Sequence, residues 1–81
     1  MASIKMYTTP WCGDCRIAKR FLKEQGIAYE EIDIEQTEGA ADYVMRINNG
    51  KRKVPTFEVG GHVFNLSPFN ERKFREELGL S

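Results

Sequence analysis

Two cysteines separated by two residues, Cys12 and Cys15, constrain this chain more than any other feature, and they are its only cysteines. A β-type apolar run at residues 4–7 precedes them, and a helical run follows. The unsatisfied N–H groups and the positive dipole end of a helix favour a negative group at its start. We therefore expect Cys12, the more solvent-accessible thiol, to act as a nucleophilic thiolate and Cys15 to displace whatever becomes attached to it.

Composition narrows the class of protein. Lys plus Arg and Asp plus Glu are equal in number, so the net charge gives no reason to expect a nucleic acid or an anionic membrane as partner. A chain of 81 residues has room for one core, so residues 1–81 are predicted to form one domain. The N-terminus lacks a secretory signal pattern, and no apolar stretch approaches the ~20 residues that span a bilayer. We expect a cytoplasmic protein, in which a CxxC pair is more often catalytic or metal-binding than a structural disulfide.

The hydrophobic pattern predicts the element order β-α-β-α-β-β-α. In the first helix, Ile17 and three neighbouring apolar side chains are expected to form one buried stripe. Ser67 and Pro68 suit the N-cap and the first position of the last helix. Two adjacent glycines suit a hairpin turn between the last two strands. The predicted strands span residues 4–7, 29–34, 56–59 and 62–64, and the predicted helices span residues 13–25, 37–48 and 68–78.

This order fixes the fold class. A right-handed crossover makes the first two strands parallel, and the hairpin extends the same sheet in the antiparallel sense. The prediction is an α/β thioredoxin fold, with a four-stranded mixed sheet flanked by helices on both faces.

Three segments carry a resemblance to a known family: residues 6–15 with the CxxC motif, residues 49–56 with Val-Pro-Thr, and the glycine pair 60–61. Together with the element order, they resemble the glutaredoxins, particularly the small bacterial glutaredoxin-like proteins and the mycoredoxins. The resemblance covers essentially the whole chain. It implies a dithiol oxidoreductase that contributes to cell redox homeostasis, or that donates electrons to an enzyme such as ribonucleotide reductase.

The resemblance also implies roles for residues beyond the cysteines. In this fold the residue equivalent to Pro55 is cis and faces the CxxC motif, and Val54 offers backbone groups that pair with the substrate as a short strand. The plainer interpretation of Pro55 is a proline at the start of an edge strand. Arg52 is the nearest match to the residue that holds the glycine carboxylate of glutathione, although three consecutive cations are more often a solvated loop.

Two residues of the motif itself invite separate hypotheses. Trp11 is expected to form an apolar rim that shields the thiolate and contacts substrates, with a place in the core as the alternative. Asp14 suits the first turn of a helix, but its charge near Cys12 opposes thiolate formation. We expect Asp14 to make Cys12 less acidic, and the disulfide more reducing, than an aromatic residue at that position would.

The sequence departs from the common glutathione-binding pattern near the last helix. Typical glutaredoxins have Gly-Gly followed by acidic residues there, whereas residues 64–70 read Phe-Asn-Leu-Ser-Pro-Phe-Asn, closer to the mycoredoxin pattern. No tightly bound cofactor is expected. A low-molecular-weight thiol such as glutathione or mycothiol is the expected co-substrate, with disulfide-containing proteins or small-thiol mixed disulfides as partners, a reductase or thiol system for recycling, and a monomeric state.

Two alternative uses of the cysteines remain open from the sequence. A structural zinc site needs four ligands, and only His62 could join the cysteines, so no metal is expected. An iron–sulfur cluster or metal carrier, in which two chains share a cluster through Cys12, is the main alternative function.

Overall fold

The structure is a computed structural model that describes residues 3–80. Met1 and Ala2, on which the expectation about a signal sequence partly rests, lie outside the described residues, as does Ser81. None of the helices within residues 3–80 is long and apolar enough to cross a membrane. The strands are β1 (Ile4–Thr8), β2 (Glu30–Asp33), β3 (Thr56–Val59) and β4 (His62–Asn65), and the helices are α1 (Gly13–Glu24), α2 (Ala40–Ile47) and α3 (Glu71–Leu78).

The four strands form one mixed sheet in the order β2-β1-β3-β4. β1 pairs in parallel with β2 and antiparallel with β3, and β3 pairs antiparallel with β4. Gly60 and Gly61, both at positive φ, make the turn of the β3–β4 hairpin. The predicted thioredoxin-like α/β fold is confirmed.

The register of the sheet assigns the helices to its two faces. Met6 pairs with Phe57, and Phe57 with Phe64, so these side chains share one face. On that face both phenylalanine rings contact Phe74 of α3. α1 joins the same layer, because the rings of its Phe21 and of Phe74 lie 5.4 Å apart.

The opposite face of the sheet carries α2. The ring of Tyr7 in β1 packs against Tyr43 of α2 with centroids 5.1 Å apart. The Tyr43 hydroxyl donates to the Glu58 carboxylate of β3 at 2.9 Å. The sheet is therefore flanked by helices on both faces, as predicted.

The predicted burial of Ile17 is wrong, because this side chain is 45% exposed. The buried side of α1 consists of Cys15, Ala18, Phe21 and Leu22. Since each residue of an α-helix turns about 100°, Ile17 lies about 200° from Cys15, on the solvent side.

The predicted start of the last helix is also wrong. α3 begins at Glu71, and Asn70, not Ser67, is its N-cap: the Asn70 side chain accepts the Lys73 N–H at 3.0 Å. Phe69, just before the cap, packs edge-on against Phe74 with centroids 5.7 Å apart. The cap and the hydrophobic staple together fix the N-cap at Asn70, three residues after Ser67.

α2 is shorter than predicted. It begins at Ala40 rather than near residue 37, and Gly39 before it has φ +81°. The Ala40 N–H donates to the Thr37 carbonyl oxygen at 3.1 Å, so a turn occupies residues 37–39, the predicted first residues of the helix.

Candidate active site

The end of β1 delivers Cys12 to the start of α1. A turn joins them, in which the Cys12 N–H donates to the Thr9 carbonyl oxygen at 3.4 Å. Cys12 is the N-cap residue of α1, and its sulfur accepts the Cys15 N–H at 3.1 Å. An acceptor at this position satisfies one of the helix's free N–H groups, and a thiolate is a stronger acceptor than a thiol.

The two cysteines differ in their surroundings. Cys12 is 8% exposed, and Cys15, one turn into the helix, is fully buried. Burial, reinforced by the hydrogen bond to Cys12, raises the pKa of Cys15 to about 12, although hydrogen bonds with Thr8 and Thr9 act in the opposite direction. Cys15 is therefore protonated at neutral pH.

The loop before β3 lies against Cys12. The Cys12 thiol donates to the Val54 carbonyl oxygen at 3.6 Å, and the Val54–Pro55 peptide bond is cis, as the resemblance implies. The Pro55 carbonyl oxygen accepts the Leu66 N–H at 3.0 Å, which ties this loop to the end of β4. Within residues 3–80 the Val54 N–H has no backbone acceptor.

An open groove of about 320 Å³ surrounds the exposed side of Cys12. Trp11, 65% exposed, stands at its rim and is not a core residue. His62, exposed on the hairpin beside Glu77, is not among the lining residues. Pro55 is fully buried behind the groove. The groove is lined by Trp11, Cys12, Gly13, Asp14, Arg52, Lys53, Val54 and Ser67.

A polar cluster behind the groove supports the Val54 loop. The Asn48 amide at the end of α2 donates to the Val44 carbonyl oxygen at 2.8 Å and to the Thr56 hydroxyl at 3.2 Å. The Asn65 amide of β4 donates to the Asn48 side-chain oxygen at 3.0 Å. The Thr56 hydroxyl donates to the Lys53 carbonyl oxygen, so the cluster holds the residue immediately before Val54.

Sequence reasoning missed several residues of this site. Ser67 lines the groove instead of capping a helix. Glu35 accepts a hydrogen bond from the Trp11 indole, although 24 residues separate them. Thr8 and Thr9 act on the pKa of the Cys15 thiol and oppose the effect of its burial. Their place shortly before the motif was the only available signal for the two threonines.

Comparison with known proteins agrees with this geometry. The profile of the glutaredoxin family matches residues 4–64. A Mycobacterium tuberculosis protein whose name assigns it to the glutaredoxins is 47% identical over 68 residues, covering 82% of this chain and 81% of that protein. Mycoredoxin 1 of Corynebacterium glutamicum is 37% identical over 67 residues, covering 80% and 82%. The crystal structure of the T8A mutant of the thioredoxin-like protein BC3987 matches with a TM-score of 0.81 at 30% identity, covering both chains completely.

Proposed function

The chain belongs to the glutaredoxin family of thiol–disulfide oxidoreductases, and from this we propose that it reduces protein disulfides or mixed disulfides with a low-molecular-weight thiol, using Cys12 and Cys15 in succession. One observation carries the proposal. The Cys12 sulfur sits at the N-terminus of α1, where it accepts the Cys15 N–H and faces the Val54 carbonyl at the edge of an open groove.

In the first step Cys12 attacks. Its thiolate displaces one sulfur of the substrate disulfide, forms a Cys12–substrate mixed disulfide and releases the other half of the substrate as a thiolate. The helix N-terminus supports the negative charge on Cys12 before the attack.

In the second step Cys15 resolves the mixed disulfide. It loses its proton, attacks the Cys12 sulfur and releases the remaining half of the substrate as a thiolate, leaving a Cys12–Cys15 disulfide. Two electrons have then passed from the protein to the substrate. Because its pKa is about 12, Cys15 stays protonated while Cys12 waits for a substrate.

The groove offers two kinds of contact to a substrate. The Val54 backbone presents both N–H and C=O groups to an extended chain, as in the addition of a short strand. Arg52, exposed on the same groove, would bind a carboxylate of a small thiol. Trp11 supplies an apolar wall.

The thiol that recycles the oxidised protein is proposed from the relatives and from the sequence before α3. The likeness to mycoredoxin 1 and the lack of the Gly-Gly-acid pattern before α3 favour a thiol other than glutathione as co-substrate. We propose mycothiol or a thiol of similar size.

The test is turnover with a self-quenched fluorescent peptide disulfide as substrate. The reduced protein should release fluorescence, and it should do so catalytically when a recycling system is added. Three recycling systems are compared: glutathione with its reductase, mycothiol with its reductase, and a thioredoxin-reductase-type flavoenzyme. Stoichiometric oxidation without turnover in all three would overturn the proposal, because that behaviour belongs to a sensor.

A metal or iron–sulfur carrier is the alternative from the sequence. Within residues 3–80, no three His, Cys, Asp or Glu side chains cluster as ligands, so a single chain would contribute its cysteines alone. Iron analysis of protein purified without oxygen from iron-supplemented cells distinguishes the two functions: a coloured, iron-containing dimer would favour the carrier.

A further inference from the structure

We infer that Glu35 is a positioning residue for substrate binding: its carboxylate holds the Trp11 indole in place as the wall of the groove. The inference rests on the proposed function, since the groove is the one that would receive the disulfide substrate. Glu35 carries no reacting atom and is not among the residues that line the groove, so it acts through Trp11.

Trp11 needs an external restraint to form a wall. Its side chain is 65% exposed, so packing leaves most of the ring unsupported. The indole N–H donates to a carboxylate oxygen of Glu35 at 3.3 Å, across 24 residues of sequence. This bond joins the turn before α1 to the segment that follows β2, and it is the indole's only polar contact within residues 3–80.

The backbone of Glu35 is itself held by hydrogen bonds. Its N–H donates to a carboxylate oxygen of Asp33 at 2.9 Å, which closes a tight turn at the end of β2. The preceding Ile34 is buried, and its N–H donates to the Thr8 carbonyl oxygen of β1 at 3.0 Å. The turn that carries the acceptor for Trp11 is thus hydrogen-bonded to the ends of both β1 and β2.

A restrained ring lowers the entropic cost of binding. A free, exposed indole would explore several orientations and lose them when a substrate packs against it. With Glu35 present, that ordering has occurred before the substrate arrives. The effect belongs to substrate binding, so the KM for the disulfide should depend on Glu35 while the kcat should not.

The kinetic test uses the peptide disulfide described above and three variants. Glu35→Ala should raise KM about threefold to fivefold, the effect of losing one exposed hydrogen bond, with kcat changed less than twofold. Glu35→Gln keeps an acceptor for the indole and should restore most of the affinity. Glu38→Ala removes the same charge from the same segment, at an exposed position, and should behave as the parent.

A fluorescence measurement reads the contact directly, because Trp11 is the only tryptophan in the chain. In Glu35→Ala, the anisotropy of Trp11 should decay faster and acrylamide should quench its emission more strongly than in the parent. Glu35→Gln and Glu38→Ala should stay near the parent in both measurements. A loss of overall structure would instead change the far-ultraviolet circular dichroism.

A double-mutant cycle tests whether Glu35 acts through Trp11. In a Trp11→Phe background, Glu35→Ala should have no further effect on KM, since no indole N–H remains. An undiminished effect in that background, or equal KM values for Glu35→Ala and Glu38→Ala, would overturn the role of Glu35. A parent protein that does not reduce the disulfide at all would overturn the proposed function instead.

Discussion

The Cys12 thiol and the Val54 carbonyl oxygen lie 3.6 Å apart, although 42 residues separate them in the sequence. Their proximity follows from the sheet. β1 and β3 are antiparallel neighbours in which Tyr7 pairs with Thr56, so the segment leaving β1 and the segment entering β3 meet at one edge. The proposed nucleophile and the backbone proposed to hold its substrate are therefore placed by the same pair of strands.

The different roles proposed for the two cysteines predict different products. Cys15→Ser should still attack a peptide disulfide and should accumulate one mixed disulfide per chain, because the resolving thiol is missing. Cys12→Ser should form none and should lose at least about a hundredfold in turnover. Mass spectrometry of the intact protein reads both results. A mixed disulfide on Cys15 in the Cys12→Ser protein, at the parent's rate, would contradict the assignment.

The raised pKa of Cys15 makes the stability of the reduced protein depend on alkaline pH. The unfolded chain releases the Cys15 proton near its ordinary pKa of about 8.5, whereas the folded chain holds it up to about 12. Between these values the free energy of unfolding should fall by up to about 1.4 kcal/mol per pH unit from this group. Urea unfolding in the presence of a reductant, at a series of pH values, measures the slope.

Two variants separate this slope from that of the tyrosines. Cys15→Ala should flatten the fall from about pH 9 upwards. Tyr43→Phe should flatten it only above about pH 10, because burial and the hydrogen bond to Glu58 raise the pKa of Tyr43 to about 12. A Cys15→Ala protein with the parent's slope between pH 9 and 10 would contradict the prediction.

Substitution of Asn70 and of Ser67 tests which of the two residues caps α3. Asn70→Ala should lower the free energy of unfolding by about 1 kcal/mol, because the Lys73 N–H loses its acceptor. Ser67→Ala should lower it by less than about 0.5 kcal/mol, since Ser67 is an exposed residue of the groove. Chemical denaturation of the two variants provides the comparison. A larger loss at Ser67 would place the cap where the sequence alone suggests it.

The sequence predicts most of this fold because local signals and the sheet agree. Apolar strands, a glycine-pair turn and a glycine just after the end of α1 and of α3 are short-range patterns, and each element formed close to its predicted place. The errors arose where tertiary contacts decide. The packing of Phe69 against Phe74 places the start of α3 later than predicted. The orientation of α1 about its own axis leaves Ile17 exposed to solvent.

The cysteine pair was equally predictable from the sequence, but the contacts that support the groove around it were not. A CxxC motif before a helix predicts thiol–disulfide chemistry from four residues alone. The contact of Glu35 with Trp11 and the cluster around Asn48 join segments that are distant in sequence, and no local pattern marks them. Such contacts become visible only when the strands are paired.

Arg52 is expected to contribute to the binding of a small thiol through a carboxylate. Arg52→Ala should raise KM about threefold to tenfold for a mixed disulfide whose small thiol carries a carboxylate. The effect should disappear when that carboxylate is converted to an amide. Lys51→Ala is the matched control, because Lys51 is an exposed cation next to Arg52 that does not line the groove. An equal rise in KM in the two variants would assign the effect to the overall positive charge of the loop.

Asp14 is expected to tune the nucleophile. It lies in the first turn of α1 and lines the groove beside Cys12, so its negative charge opposes a thiolate there. Asp14→Asn should speed the alkylation of Cys12 by iodoacetamide about threefold at a fixed pH, because the variant lacks the negative charge beside the reacting sulfur. The Cys12–Cys15 disulfide should become less reducing by about 15 mV, since a more stable thiolate favours the reduced form. Glu24→Gln removes the same charge from the far end of α1 and should change neither quantity. An Asp14→Asn protein alkylated at the parent's rate or more slowly would show that Asp14 serves the helix start alone.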